Sequence, residues 1–232
     1  MSRGCVGCAN GAWFGSGAAV TIGSSVRGLL GPRLERVAAD RYRRMFVDLD
    51  ALAATIAGLG SFATVIEVGC GEGALLARLM DAVDPDASAL GIDIAPNPGH
   101  GYTGRNRKVE FRQAAVAEVV GDGLRFDLVV VSDVLHHIPP ADRRDFLESC
   151  RELLTPNGTI VVKEWVRRRN AAHLAAWGSD RFISGDKGVA FFSEDELRGV
   201  FTEVFRVDGA PLIATHTRPH WNNVVLATTK TG

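Results

Sequence analysis

The chain lacks any uninterrupted apolar run of the about 18 to 20 residues that a bilayer-spanning helix needs, so no segment reads as a membrane span. It also lacks a surplus of charge. With 26 Lys and Arg against 27 Asp and Glu, the formal net charge is −1, which argues against the broad basic face that duplex nucleic acid requires, although a local groove would not register in the total. Cysteine is scarce: Cys5, Cys8, Cys70 and Cys150 are the only 4 in 232 residues, and nothing in their placement suggests a disulfide framework. Cys5 and Cys8 form a lone C-x-x-C with neither a second pair nor a histidine pair nearby, so a zinc site is not expected. The N-terminal stretch also lacks the form of a secretion signal, because glycines interrupt Trp13, Phe14 and Ala18-Ala19-Val20 and Arg3 is the only early positive charge. The expectation is a soluble, cytoplasmic protein with a small-molecule partner.

What is present is an ordinary globular balance, 46% hydrophobic and 23% charged, long enough for one domain with a full core and appendages. Residues 1–26 are glycine- and serine-rich without a steady period, and read as a tail or a lid. Residues 27–62 carry a helical pattern, with Leu34, Val37, Ala38, Tyr42, Met45 and Phe46 and then Leu49, Leu52, Ala53 and Ile56 recurring at three and four. From residue 63 to 232 apolar runs alternate with helical segments. Strands are expected at 64–69, 88–93, 108–112, 126–132, 158–164, 203–208 and 222–228, with the clearest helices at 73–83, 141–154 and 193–201. Runs such as Leu128-Val129-Val130-Val131 are those of parallel strands covered on both faces, and the alternation predicts a doubly wound α/β sheet.

The first strand leads into Val65-Ile66-Glu67-Val68-Gly69-Cys70-Gly71-Glu72-Gly73, followed by the amphipathic Ala74-Leu75-Leu76-Ala77-Arg78-Leu79-Met80. Three alternate glycines between a strand and a helix permit a tight turn and close approach of a ligand to the backbone. A dinucleotide fingerprint is spaced G-x-G-x-x-G and presents a helix N-terminus to a pyrophosphate. Here the spacing differs and Glu67 precedes the first glycine by two, a carboxylate that repels pyrophosphate and welcomes an ammonium or sulfonium group.

This stretch resembles the first motif of class I S-adenosylmethionine-dependent methyltransferases of the small-molecule type. The resemblance covers about residues 63–166 by motif and the rest by topology. It implies a mostly parallel seven-stranded sheet closed by an antiparallel hairpin, with S-adenosyl-L-methionine as the cofactor. Asp93, ending Leu90-Gly91-Ile92-Asp93, falls 20 positions after Gly73, in keeping with a ribose-binding carboxylate. The implied cofactor-binding set is Glu67, Gly69, Cys70, Gly71, Gly73, Asp93, Ile94, Gln113, Ala114 and Ser132. One departure stands out: Ala115 occupies the place of the aspartate that commonly meets the adenine amino group, leaving adenine to backbone groups, Gln113 or Glu118.

Ser132-Asp133-Val134-Leu135-His136-His137-Ile138-Pro139 resembles the family's fourth motif, which faces the acceptor. The fifth strand ends at Lys163-Glu164-Trp165. Methyl transfer needs positioning and, for many acceptors, removal of a proton. Histidine is the natural base near neutral pH, and His137 is placed ahead of His136, with Asp133 or Glu164 orienting it or the acceptor; one of the two histidines could instead simply cap or pack against the helix that follows. No metal site is expected, because adjacent histidines point in different directions. An insertion at about 166–192 carries Arg167-Arg168-Arg169, His173, Trp177, Asp180, Arg181, Phe182, Asp186, Phe191 and Phe192, and is expected to shape an acceptor that is aromatic or apolar with an anionic group; a solvated basic face over packed aromatics is the plainer alternative. His216, His220 and Trp221 are expected on the same side.

The expected activity is methylation of a small molecule in natural-product or other secondary metabolism, oxygen ahead of carbon or nitrogen. An RNA or protein methyltransferase, with a groove of Arg41, Arg43, Arg44, Arg105, Arg107 and Lys108, is the alternative, and a noncatalytic cofactor-binding protein the third reading. Neither the Asn/Asp-Pro-Pro-aromatic motif nor the Pro-Cys nucleophile of base methyltransferases is present. No pattern assigns an oligomeric state.

Overall fold

The computed structural model describes residues 46–106, 108–168, 190–205 and 211–230. Expectations for the glycine-rich tail, the helical pattern before residue 46 and residues 169–189 of the insertion lie outside the described residues, as do Cys5, Cys8, Arg41, Arg43, Arg44 and Arg107.

The element order is α1 (Leu49–Ala57), β1 (Thr64–Val68), α2 (Ala74–Ala82), β2 (Ser88–Asp93), β3 (Val109–Gln113), α3 (Val116–Gly121), β4 (Phe126–Ser132), a 3-10 turn (Leu135–His137), α4 (Arg143–Glu152), β5 (Leu154–Trp165), α5 (Glu194–Phe205), β6 (Ile213–His216) and β7 (Asn223–Thr229). They build one seven-stranded sheet in the order β3-β2-β1-β4-β5-β7-β6. The first five of these positions are parallel neighbours. β7 runs antiparallel to both β5 and β6, which gives the mostly parallel sheet with a terminal hairpin.

The continuous apolar runs are explained by cover on both faces. Val129, Val131, Ile160 and Val162 face one core cluster with Val119 of α3, Leu147 and Cys150 of α4, and Leu197, Phe201 and Val204 of α5. Leu128, Val130, Val161 and Val225 face the other with Leu52 and Ile56 of α1 and Leu76 and Leu79 of α2. Successive strand residues thus serve opposite cores, as a period of two requires. Among the described residues no helix is long and apolar enough to cross a membrane.

Two strand expectations are corrected. Residues 203–205 of the strand expected at 203–208 belong to α5, because Val204 continues the stripe that Leu197 and Phe201 start; 206–208 lie outside the described residues, and the sixth strand of the sheet is Ile213–His216. The strand expected at 158–164 starts earlier, at Leu154: Phe126 pairs with Leu154 and Leu128 with Thr159, so Thr155-Pro156-Asn157-Gly158 forms an irregularity within the strand's span. Helix α5 starts as the sequence suggests. Ser193 N–H donates to Glu196 Oε2 (2.6 Å) and Glu196 N–H to Ser193 Oγ (3.2 Å), a reciprocal capping box.

The sheet order reverses between β1 and β4. In an open α/β sheet the crevice at that reversal, beyond the carboxyl ends of the strands, is the place for a ligand. Val68, Asp93, Ser132 and Trp165 all end their strands at this edge.

Candidate active site

Beyond β1 the chain turns through Gly69, Gly71 and Gly73, whose φ angles are 76°, 50° and 80°. Gly69 and Cys70 donate their N–H groups to the Ile92 carbonyl (2.8 and 2.9 Å), which bends the loop over the end of β2. Asp93 fixes its crest: Gly71 N–H donates to Oδ2 and Ala95 N–H to Oδ1, both at 2.8 Å. A carboxylate has about four lone-pair positions, so the half-buried Asp93 retains capacity for a pair of hydroxyls. A Cβ built on the exposed Gly71 would meet nothing within 4 Å, so the crest is open. Beside it Ile94 is 54% exposed, a bare apolar shelf next to the carboxylate.

The loop is also braced from outside. Gly99 N–H donates to the Gly71 carbonyl (2.8 Å) and Gly101 N–H to that of Glu72 (3.0 Å). Gly99 sits so close over Phe111 that a Cβ would fall 2.2 Å from the ring. Burial, helped by the negative charges of Glu67 and Asp93, pushes the Cys70 thiol far up. Cys70 is therefore a neutral space-filler and not a nucleophile.

At the end of β4, Asp133 takes a left-handed backbone conformation (φ 55°). Its N–H donates to the Lys163 carbonyl (2.9 Å), and Lys163 Nζ donates back to Asp133 Oδ1 and Oδ2 (2.7 and 2.5 Å). The Lys163 side chain is 2% exposed and that of Asp133 34%, so the lysine lies behind the carboxylate. Val134 follows, packed so tightly on the glycine loop that a Cβ at Gly69 would fall 2.3 Å from Val134 Cγ2. Glu164, wholly buried, receives Val134 N–H and Leu135 N–H on Oε1 (2.9 and 2.6 Å) and lies 2.7 Å from His136 Nδ1 through Oε2.

The ring of His136 is buried and stacks on Phe191 at 5.2 Å, while the half-buried ring of His137 lies 4.1 Å from it. Ala190 N–H reaches the His136 carbonyl (2.9 Å), and Arg143 holds the Ile138 carbonyl through Nε (2.9 Å), with its guanidinium 3.9 Å from the Phe192 ring centroid. Burial pulls the Arg143 guanidinium below its usual range, against the opposing pull of Glu164 and Glu196.

Asp133, His136 and Glu164 each present a ligand-type atom within 4.8 Å of the others. Lys163 donates to Asp133 and two amides donate to Glu164, so both carboxylates hold the turn that follows β4. Farther along the same edge, Arg167 is bound to Glu196 (2.8 Å) and Arg168 to Glu194 (2.6 Å), so both side chains of the expected anion site that fall among the described residues are paired with α5. His216 lies 3.4 Å from Glu194, His220 5.5 Å from the Trp165 ring, and Trp221 is 73% exposed.

Residues 35–204 match the family described as "Methyltransferase domain". The chain belongs to this methyltransferase family. The ubiquinone biosynthesis O-methyltransferase of Azorhizobium caulinodans is 28% identical over 170 residues, 61% of this chain and 63% of that protein. An uncharacterized methyltransferase of Mycobacterium bovis is 34% identical over 135 residues, 56% of this chain and 66% of that one. The chain thus spans under two thirds of the length of these relatives. In fold it is similar to the 1,6-didemethyltoxoflavin-N1-methyltransferase of Burkholderia thailandensis, solved with S-adenosylhomocysteine, with a TM-score of 0.58, 20% identity and 93% of each chain covered.

The methyltransferase's glycine loop fits the family's cofactor, S-adenosylmethionine. Asp93 suits the ribose diol, the open crest at Gly71 gives room, Ile94 offers an apolar face for a base, and the buried Glu67 lies at the root of the loop. Ala114 N–H donates to the Asp93 carbonyl (3.0 Å) and Gln113 Nε2 to that of Ile94 (3.0 Å), so both residues shape the turn beside that face. Glu118 instead accepts the Ala115 N–H (2.6 Å) and anchors the start of α3. Of the two histidines it is His136 that meets Glu164, because the 3-10 turn directs His136 inward. Sequence reading passed over Lys163, which looks there like one polar residue ending an apolar strand. It also passed over Phe111, whose contacts with three separated glycines no local pattern displays.

Proposed function

We propose that the protein transfers the methyl group of S-adenosylmethionine to a hydroxyl oxygen of a small molecule, in natural-product or other secondary metabolism, in the cytoplasm. The observation that carries this reading is the seating of Val134 on Gly69, which brings the start of the turn after β4 against the glycine loop. When bound, the cofactor supplies an electrophilic methyl group on positively charged sulfur. The chain's own residues then have two tasks, to place the acceptor in line and to accept its proton.

His137 is assigned the second task. It is half-buried and its ring lies 4.1 Å from that of His136, which is buried against Glu164. Asp133 is assigned the first: with Lys163 behind it, its exposed side accepts a hydrogen bond from the acceptor. The His136–Glu164 pair fixes the turn that carries both. Aromatic side chains near the end of β5, Phe46 5.7 Å from Trp165 and Phe191 beside them, support a flat or apolar acceptor. Arg105 and Lys108, two members of an imagined nucleic-acid groove, are instead paired with Asp81 and Asp86.

The test is transfer of labelled methyl from S-adenosylmethionine to a panel of phenols, aliphatic alcohols and amines, with RNA and protein beside them. Label is expected in a hydroxylated small molecule, and His137→Ala is expected to lower that turnover by about 100-fold with S-adenosylhomocysteine affinity retained. Label in RNA or protein, or an unchanged rate in the variant, would overturn the reading.

A further inference from the structure

The segment between β4 and the 3-10 turn is gripped by two consecutive residues of β5 from opposite faces of the sheet. Lys163 is paired across the ladder with Val225 of one core cluster and Glu164 with Val224 of the other. Residues opposite one another in an antiparallel pair point to the same face, so Lys163 reaches Asp133 on one side and Glu164 reaches residues 134–136 on the other. Glu164 has an evident purpose, since it satisfies two amides and a histidine. A fully buried lysine does not. An ammonium taken out of water is costly unless paired, and a hydrophobic side chain would fill the same space.

Asp133 supplies the missing reason. It is a non-glycine residue in the left-handed region, which an L side chain enters at some cost and Asp more readily than most. Both its backbone N–H and its carboxylate are held by Lys163, through the lysine's carbonyl and Nζ. The residue after this corner is Val134, which fills the space beside Gly69.

We propose that Lys163 is a positioning residue for cofactor binding: it locks Asp133 in the left-handed corner, which seats Val134 on Gly69 and sets the glycine loop. This role depends on S-adenosylmethionine being the cofactor and not on the identity of the acceptor. Lys163 touches no ligand itself. Its effect runs through the backbone of Asp133 and the packing of Val134, so glycine at position 133, free to take φ 55°, makes the lysine dispensable for affinity.

The experiment is calorimetric titration of S-adenosylhomocysteine into the wild type, Lys163→Met and the double variant Lys163→Met/Asp133→Gly, with thermal unfolding recorded for each. The single variant is expected to bind about 10-fold or more weakly while folded, and the double variant to return to within about threefold of wild type. Wild-type affinity in Lys163→Met would make the ion pair mere core filling and overturn the proposal, as would an equal loss in the double variant. Should Lys163→Met not fold, Asp133→Ala, which removes the carboxylate that Lys163 grips and leaves an L side chain at φ 55°, serves as the single variant with the same expected loss. Unchanged binding there also overturns the proposal. General destabilisation would lower the unfolding temperature in all variants without this pattern of loss and rescue.

Discussion

Val134 occupies the space that any side chain at Gly69 would need: a Cβ there would fall 2.3 Å from Val134 Cγ2. The same glycine has a φ of 76°, so two independent demands, conformation and space, meet at one position. Gly69→Ala is expected to cost about 1–3 kcal/mol of stability and to weaken S-adenosylhomocysteine binding more than that strain alone would. Urea unfolding and calorimetry check both, and Gly69→Ala/Val134→Ala should recover the share due to overlap and leave the share due to φ.

Glu164 stands at the other end of this contact as a carboxylate without solvent exposure that serves two amides and His136. Glu164→Ala removes all three partners at once and is expected to cost about 3–5 kcal/mol. Glu164→Gln keeps an acceptor for the amides and should cost clearly less. Equal losses for the two variants in denaturant unfolding would mean that charge, and not hydrogen bonding, is what the turn requires.

The start of α5 provides a pH dependence whose sign is fixed. The Ser193 N–H bonded to Glu196 holds its carboxyl below the usual range, with Arg167 and the Ser193 hydroxyl adding smaller contributions and slight burial opposing. A depressed carboxyl stabilises the fold above its unfolded value and loses that contribution as pH falls through the folded one. The Glu196 side chain is 54% exposed, so screening keeps the effect small. Glu196→Gln is expected to be less stable than wild type by about 0.5–1 kcal/mol at neutral pH, with the two curves converging in acid. A gap that persists below the carboxylate range would assign the effect to shape alone.

Much of this molecule is legible along the chain because the informative signals are local. Glu67 to Gly73 are consecutive across the end of β1 and the turn after it, Asp93 ends an apolar run, and the Ser193–Glu196 cap is written over four residues. The β6 position was not legible, because Val204 and Phe205 suit a strand and a helical stripe equally until Leu197 and Phe201 are seen to pack with Val204 in one core. The choice between adjacent histidines was equally hidden. Which ring turns inward depends on a 3-10 turn that Glu164 stabilises from 28 residues away in sequence. Lys163 was invisible for a related reason: its partner, Asp133, is chosen by strand pairing between β4 and β5 and not by any spacing within one segment.

The central claim is that the loop from Glu67 to Gly73, with Asp93, forms a site for S-adenosylmethionine. Calorimetric titration of the purified protein with S-adenosylmethionine, S-adenosylhomocysteine and NAD tests it most directly, with Asp93→Ala as the companion variant. The account predicts binding of the first two and not of NAD, and an affinity about 10-fold or more weaker in the variant with its unfolding cooperative as in wild type. Binding of NAD with neither of the others, or undiminished affinity without the Asp93 carboxylate, would contradict it.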